Sequence, residues 1–363
     1  MSLIRLDVSD FRNISSLQFE PISNGFNLIY GNNGSGKTSL LESIYYLSFG
    51  RSFRSANIEH IVRKSATQFS LFTNLLTQND HHVPIGLERD QNGSLKVRVN
   101  GKDISSVAEL ANLLPVQLIN SHCYDLLESG PIFRRKYIDW GAFHLNSDFF
   151  RVWKQYKRLL KQRNAALVSS VSRKEILMWS EQLVECALQL DQWRQSYIDC
   201  LVPILKNHLG NLLSITSLDV AYQSGWKNGM KYQDCLLESL PRDMQLGYTQ
   251  FGPHRADLRV MISGLPAKDI LSRGQQKLFV CAMIVAQGEL LYNKLNKKLI
   301  YLVDDLPSEL DLKSRSSLIT LLSKQEAQVF VTAVERDVFS HCPTNKPVRM
   351  FHVEHGKLCA AID

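Results

Sequence analysis

The sequence predicts an α/β fold on three observations: strand-like alternation at both ends of the chain, a long helical stretch between them, and a glycine-rich loop set after a strand and before a helix. The two ends, 1–121 and 246–363, are expected to build one discontinuous domain around an inserted helical lobe at 122–245. With 363 residues, 44% of them hydrophobic and 21% charged, the chain has globular composition and can fill a large core.

Taking the elements in order, Ile4, Leu6 and Val8 alternate with Arg5 and Asp7, and strands are also expected at 14–19 and 25–30. A helix is expected over 38–47, where apolar residues recur every three or four places and no breaker intervenes before Gly50. Strand patterning returns over 68–100, with Asn92-Gly93 as a hairpin turn. The stretches 150–167 and 174–208 read as long helices. Strands follow at 257–262, 299–303, 329–334, 348–353 and 357–359, the last pair joined at His355-Gly356. Gly130-Pro131, Gly210 and Gly225 interrupt the helical region, which therefore makes a compact lobe and no long coiled coil.

Bulk properties narrow the class. Lys and Arg number 42 against 35 Asp and Glu, and the net charge of +7 favours polyanionic partners without singling out nucleic acid. Seven cysteines, an odd number with no C-x-x-C pair, argue against both a disulfide framework and a zinc site. Arg5 and Asp7 sit where a signal peptide needs an apolar core, and the longest apolar run, 279–286, is far short of a membrane span. A cytoplasmic chain with no membrane partner is expected.

The candidate chemistry starts at Gly31-Asn32-Asn33-Gly34-Ser35-Gly36-Lys37-Thr38, which satisfies G-x-x-x-x-G-K-[ST] in the strand–loop–helix context that motif needs. A chance match in a chain of this length has odds of roughly one per cent. The glycines let successive N–H groups face a β-phosphate at the positive end of a helix, Lys37 would reach the β/γ oxygens, and Thr38 would offer its hydroxyl to Mg²⁺. The other half of such a site is an apolar strand ending in acid, here Leu299 to Val303 followed by Asp304 and Asp305. Asp304 would hold Mg²⁺; Asp305 either caps the next turn or orients the water that attacks ATP.

Leu271-Ser272-Arg273-Gly274-Gln275 opens a second helix, with Ser272 as N-cap and Gly274 permitting close approach, so it makes another anion-binding surface. One chain has one γ-phosphate at its own loop, and a second copy is the economical source of the other. The order of these motifs resembles SMC/ABC-type ATPases, in which two heads sandwich ATP. That resemblance implies an ABC/SMC-like head. It makes Ser272, Arg273, Gly274 and Gln275 a signature acting in trans, Ser308 and Asp311 a D-loop, and Gln117 a sensor of Mg²⁺ and water. Thr332 stands where many such proteins carry histidine, and Asp305 where glutamate is usual, which implies slow hydrolysis.

Five further segments narrow the group: Phe11-Arg12-Asn13, Gly50-Arg51-Ser52-Phe53-Arg54, Gly130-Pro131 with Arg134, Arg135, Asp139 and Trp140, Leu159-Leu160-Lys161-Gln162-Arg163-Asn164, and Gly252-Pro253-His254-Arg255 with Asp257 and Leu258. On these the chain resembles the RecF family of bacterial recombinational repair. Ser121-His122 replaces the family's usual Pro-Glu. The resemblance implies ATP-driven dimerisation on gapped or junction DNA, cooperation with RecO and RecR in loading the RecA recombinase, roles in replication restart and SOS induction, and a nucleoid-associated location.

For DNA contact, Arg151, Lys154, Lys157, Arg158 and Lys161 recur at three and four residues opposite Val152, Tyr156, Leu159 and Leu160. This is either a solvated helix face or a track for phosphates. The resemblance favours the track and adds Arg51, Arg54, Arg134 and Arg135. No sequence-reading motif or stacking platform is evident. The competing readings are the ATP-binding subunit of a transporter and an ATP-gated scaffold without useful turnover.

Overall fold

The computed structural model describes residues 2–77, 79–104, 106–169, 172–305, 310–339 and 344–359. The chain divides into two compact units, 1–123 with 273–363, and 124–272.

The first unit holds two sheets. In one, β1 (Ser2–Phe11) pairs antiparallel with β2 (Ile14–Phe19) and with a strand at Gln68–Leu76, and His82–Asp90, Leu95–Val99 and Lys102–Asp103 extend it. Its core face reads directly from the alternation, with Leu6, Val8 and Phe11 buried while Arg5 is exposed.

In the other sheet, β3 (Phe26–Tyr30), β8 (Val116–Ile119), β12 (Leu299–Val303), β13 (Ala327–Ala333) and β14 (Val348–Glu354) run parallel in the order β14-β3-β13-β12-β8. β15 (Lys357–Cys359) closes an antiparallel hairpin on β14. Every residue of β12 and β13 is buried, which is why these strands read as continuous apolar runs instead of alternating. Helix α1 (Lys37–Phe49) leaves the end of β3, and Leu40, Leu41, Ile44 and Leu47 join Leu6, Ile29, Leu302 and Phe330 in one cluster. Burying each such side chain contributes about 1.5–3 kcal/mol.

The second unit carries α4 (Pro131–Leu145), α5 (Phe149–Val168), α6 (Arg173–Leu213) and α7 (Tyr232–Leu246). Ser172 and Glu175 form a capping box at the start of α6. The expected lobe ended at 245, whereas this unit runs on to 272. The reason is β9 (Leu218–Gln223), which pairs antiparallel with β10 (Asp257–Ile262) and makes a three-stranded sheet with Leu265–Pro266. The strand expected at 257–262 is present, but its hydrogen-bond partner lies inside the supposed helical region.

Helix α9 (Arg273–Leu295) returns to the first unit. It is long and apolar enough to cross a membrane, a length the 279–286 run alone did not convey, yet 72% of its apolar window is buried inside the fold. It is a core helix. The six described cysteines are free thiols.

Candidate functional site

β3 delivers the chain into a loop whose backbone only glycine adopts with ease. Gly31 has φ 149°, and a Cβ there would lie 2.3 Å from the Val353 carbonyl oxygen. Gly36, at φ 116°, caps α1 from outside the helical region. No side chain caps α1 and no acid lies in its first turn, so its leading N–H groups stay available to an anion. Ser35 Oγ is buried without a hydrogen-bond partner, an orphan that a phosphate oxygen would satisfy. The Lys37 ammonium is buried and donates to the carbonyls of Gly31 at 2.7 Å and Asn32 at 2.9 Å. Burial holds its pKa below the usual lysine range, against the opposing pull of Asp305 and Asp304.

β12 ends beneath this loop. The hydroxyls of Thr38, at 3.0 Å, and Thr332, at 2.7 Å, both donate to Asp304 Oδ1, and the Asp305 N–H donates to Thr332 Oγ1 at 2.7 Å. Burial raises the Asp304 pKa, and the two hydroxyls only partly offset that. A carboxylate so placed is under-compensated by the chain itself and fits a hard dication held jointly with Thr38. Asp305 sits at φ 52°, a left-handed conformation that costs a non-glycine residue roughly 1 kcal/mol. Gln117, opposite Tyr301 in the β8–β12 register, donates its side-chain amide to Gln287 Oε1 at 2.7 Å. In this conformation that donor is engaged on α9, not on the Asp304 cluster.

Two stretches whose partners the sequence did not reveal meet at Glu42, a fully buried carboxylate on α1. Arg12 donates to it at 2.9 and 2.5 Å, Ser52 hydrogen-bonds it, and Arg54 Nη1 lies 3.7 Å away. Asn13 donates to the Gly34 carbonyl at 3.1 Å and accepts from Ser39 Oγ at 2.8 Å. Asn13 thereby ties the glycine-rich loop to its helix, while the arginines anchor their own stretches on Glu42. Sequence reasoning missed Glu42, since one acid within a helix looks like surface.

At the start of α9, Ser272, Arg273, Gly274 and Gln275 are exposed, with open space above Gly274, while Gln276 is buried. Ser308 lies outside the described residues. Asp311 caps the helix Leu312–Ser323, accepting from the Ser314 N–H at 2.7 Å, and that bond lowers its pKa.

A family profile described as the RecF/RecN/SMC N terminal domain matches residues 2–358. The protein described as DNA replication and repair protein RecF in Shewanella pealeana is 44% identical over 358 residues, 99% of each chain. The chain belongs to the RecF family. The protein of the same description in Shewanella piezotolerans is 43% identical, again over 99% of each chain. A solved structure described as the recombination mediator protein RecF-ATP in the RecFOR pathway superposes with a TM-score of 0.88 at 25% identity, covering 100% of this chain and 98% of that one. An Smc head bound to the C-winged helix domain of ScpA gives 0.61 at 13% identity over 100% of this chain and 98% of that one, a likeness of fold. The fold is an ABC/SMC-like ATPase head.

In this RecF-family chain the basic candidates separate. On α5, Arg151, Lys154, Lys157, Arg158 and Lys161 are exposed while Val152, Tyr156 and Leu159 are buried. Phe150 and Trp153 stack within 12° of parallel, centroids 6.2 Å apart, with Lys154 and Lys157 over their rings at 5.4 and 5.0 Å. Phe150 and Trp153 are half-buried, and the sequence analysis did not single them out.

Arg51 and Arg54 are exposed as well. Arg134 and Arg135, also candidates for DNA contact, are engaged within the second unit. Arg134 makes a bidentate pair with Asp257 at 2.7 and 3.0 Å and donates to the Ser129 carbonyl. Arg135 donates to the Ala256 carbonyl at 2.8 Å, and burial depresses its pKa. Both tie the second unit together, and Arg163, fully buried on Asp243 and Thr249, does the same.

Proposed function

We propose that this chain is an ATP-dependent DNA-binding repair protein that dimerises on gapped or junction DNA when ATP is bound, hydrolyses it slowly, and helps load a recombinase on single-stranded gaps in cooperation with RecO and RecR. It would act in the bacterial cytoplasm at the nucleoid. The observation that carries this reading is the cluster of Thr38, Asp304 and Thr332 beneath the Lys37 loop, a phosphate cradle and a dication seat in one place. The names of the RecF relatives support the repair context.

Lys37 and the loop amides would bind and orient the phosphates, with Thr38 and Asp304 holding Mg²⁺, which supplies charge neutralisation between the phosphates when bound. Asp305 would orient water, and Gln117 would join it only by leaving Gln287. The exposed Ser272–Gln275 surface would meet the nucleotide of the second copy. ATP then shifts a monomer–dimer equilibrium by contacts that exist only in the closed dimer. The exposed cations of α5, with Arg51 and Arg54, would supply sequence-independent phosphate contacts.

Substituting Ser272→Arg places bulk and charge on that surface. Nucleotide binding by the monomer should persist while ATP-driven dimerisation fails in sedimentation. A dimer of normal strength would count against the sandwich.

A further inference from the structure

The β14–β15 hairpin carries a second cluster whose chemistry the nucleotide site does not use. His352 and Glu354 are two residues apart on β14 and so share a face, and Cys359 on β15 is the residue directly opposite His352. One donor atom from each, imidazole nitrogen, carboxylate oxygen and Cys359 Sγ, lies within 4.8 Å of the others. Among the described residues no other group of three such side chains converges this way.

We propose that His352, Glu354 and Cys359 form a binding site for a zinc-class divalent ion. The donor set selects the metal: a thiolate and an imidazole suit Zn²⁺, whereas Mg²⁺ takes oxygen ligands and keeps to the nucleotide. Tetrahedral bonds of about 2.0–2.3 Å hold ligand atoms roughly 3.3–3.8 Å apart, so donor atoms that lie within 4.8 Å of one another, with Cys359 Sγ 4.0 Å from Glu354 Oε2, need only a small contraction. Glu354 can supply that movement because its side chain is 55% exposed. The His352 ring is already oriented, stacked on Tyr30 with centroids 5.1 Å apart. Binding converts the Cys359 thiol to thiolate and releases one proton to solvent. The thiolate and carboxylate then cancel the charge of the ion, and a water completes the fourth position.

The hairpin is also the wall of the phosphate loop. The Gly356 N–H at its turn donates to the Ser35 carbonyl at 2.7 Å, and the Val353 carbonyl is the atom that excludes any side chain at Gly31. An ion closing β14 onto β15 would therefore stiffen the support of the nucleotide loop. This differs from the C-x-x-C pattern the sequence lacks, since the three ligands are set by strand pairing.

The test is a Co²⁺ titration of the reduced full-length chain, free of Mg²⁺ and nucleotide. The wild type should bind one equivalent with a thiolate-to-cobalt charge-transfer band and the intense visible bands of a tetrahedral site, both removed by one equivalent of Zn²⁺. Cys359→Ser should abolish the charge-transfer band with circular dichroism unchanged. Glu354→Gln, at an exposed position, should keep the band and weaken affinity roughly tenfold or more. No band in the wild type, or a band that survives in Cys359→Ser, would place cobalt on other groups and overturn the proposal.

Discussion

Thr332 links the two acids of the site with a single hydroxyl, donating its proton to Asp304 and accepting the amide of Asp305. It does so at the position where many SMC/ABC-type proteins carry a histidine. Lys37 has the complementary task. Its ammonium donates to the carbonyls of Gly31 and Asn32, neutral acceptors that a phosphate oxygen would outcompete. Each charge-assisted hydrogen bond is worth about 1.5–3 kcal/mol, so Lys37→Ala should weaken ATP binding by roughly a hundredfold or more. A nucleotide titration showing wild-type affinity would remove the loop from the site. At this scale the glycines and Thr38 were legible because the motif encodes their backbone geometry. Glu42, Arg134 and Arg135 were not, since sequence gives a charge and withholds its partner.

Among the elements, α5 does two things with one helix. Its inner face is fixed by Arg163, Tyr156 and Leu159, and its outer face keeps five cations in solvent. Reversing Lys154, Arg158 and Lys161 to Glu should leave the fold intact, cut DNA affinity and flatten its dependence on salt, because each lost phosphate contact removes about one unit of slope. An unchanged slope would return α5 to a merely solvated surface. The same helix also meets His254, whose Nδ1 accepts from the Tyr156 hydroxyl at 2.7 Å while Nε2–H donates to the Thr249 carbonyl at 3.0 Å.

Both ring nitrogens of His254 are thus used by the neutral form, and burial lowers its pKa to about 4. The unfolded chain takes up this proton near pH 6.5, so the second unit is at full stability above that value and loses it as pH falls from about 6.5 towards about 4. Thermal melts should show that decline, reduced in His254→Gln; equal pH dependence in both would assign it to other groups. Long helices and buried parallel strands were readable from periodicity. β9 was overlooked although Leu218, Val220 and Tyr222 alternate with Asp219, Ala221 and Gln223, because six residues are a short signal beside a 41-residue helix and the partner strand β10 lies far along the chain.

For the whole molecule, the central claim is that one chain carries a complete phosphate loop and an exposed Ser272–Gln275 surface whose counterpart belongs to another copy. Gly210, expected to interrupt the helical region, lies inside α6, which at 41 residues is the longest among the described elements; the second unit is nonetheless compact. On the proposed reading, such a molecule would act locally on DNA by closing on itself in pairs. The two halves of the nucleotide site could be read from sequence because each is a short motif. The true extent of the second unit could not, because its boundary is set by distant strand pairing, from Gln223 with Asp257 to Leu218 with Ile262. The most direct test is molecular mass in solution, with and without ATP and Mg²⁺, in the presence and absence of a gapped duplex. Monomers that become dimers with ATP, and bind the duplex more tightly when they do, are predicted; a monomer indifferent to both ligands would contradict the account.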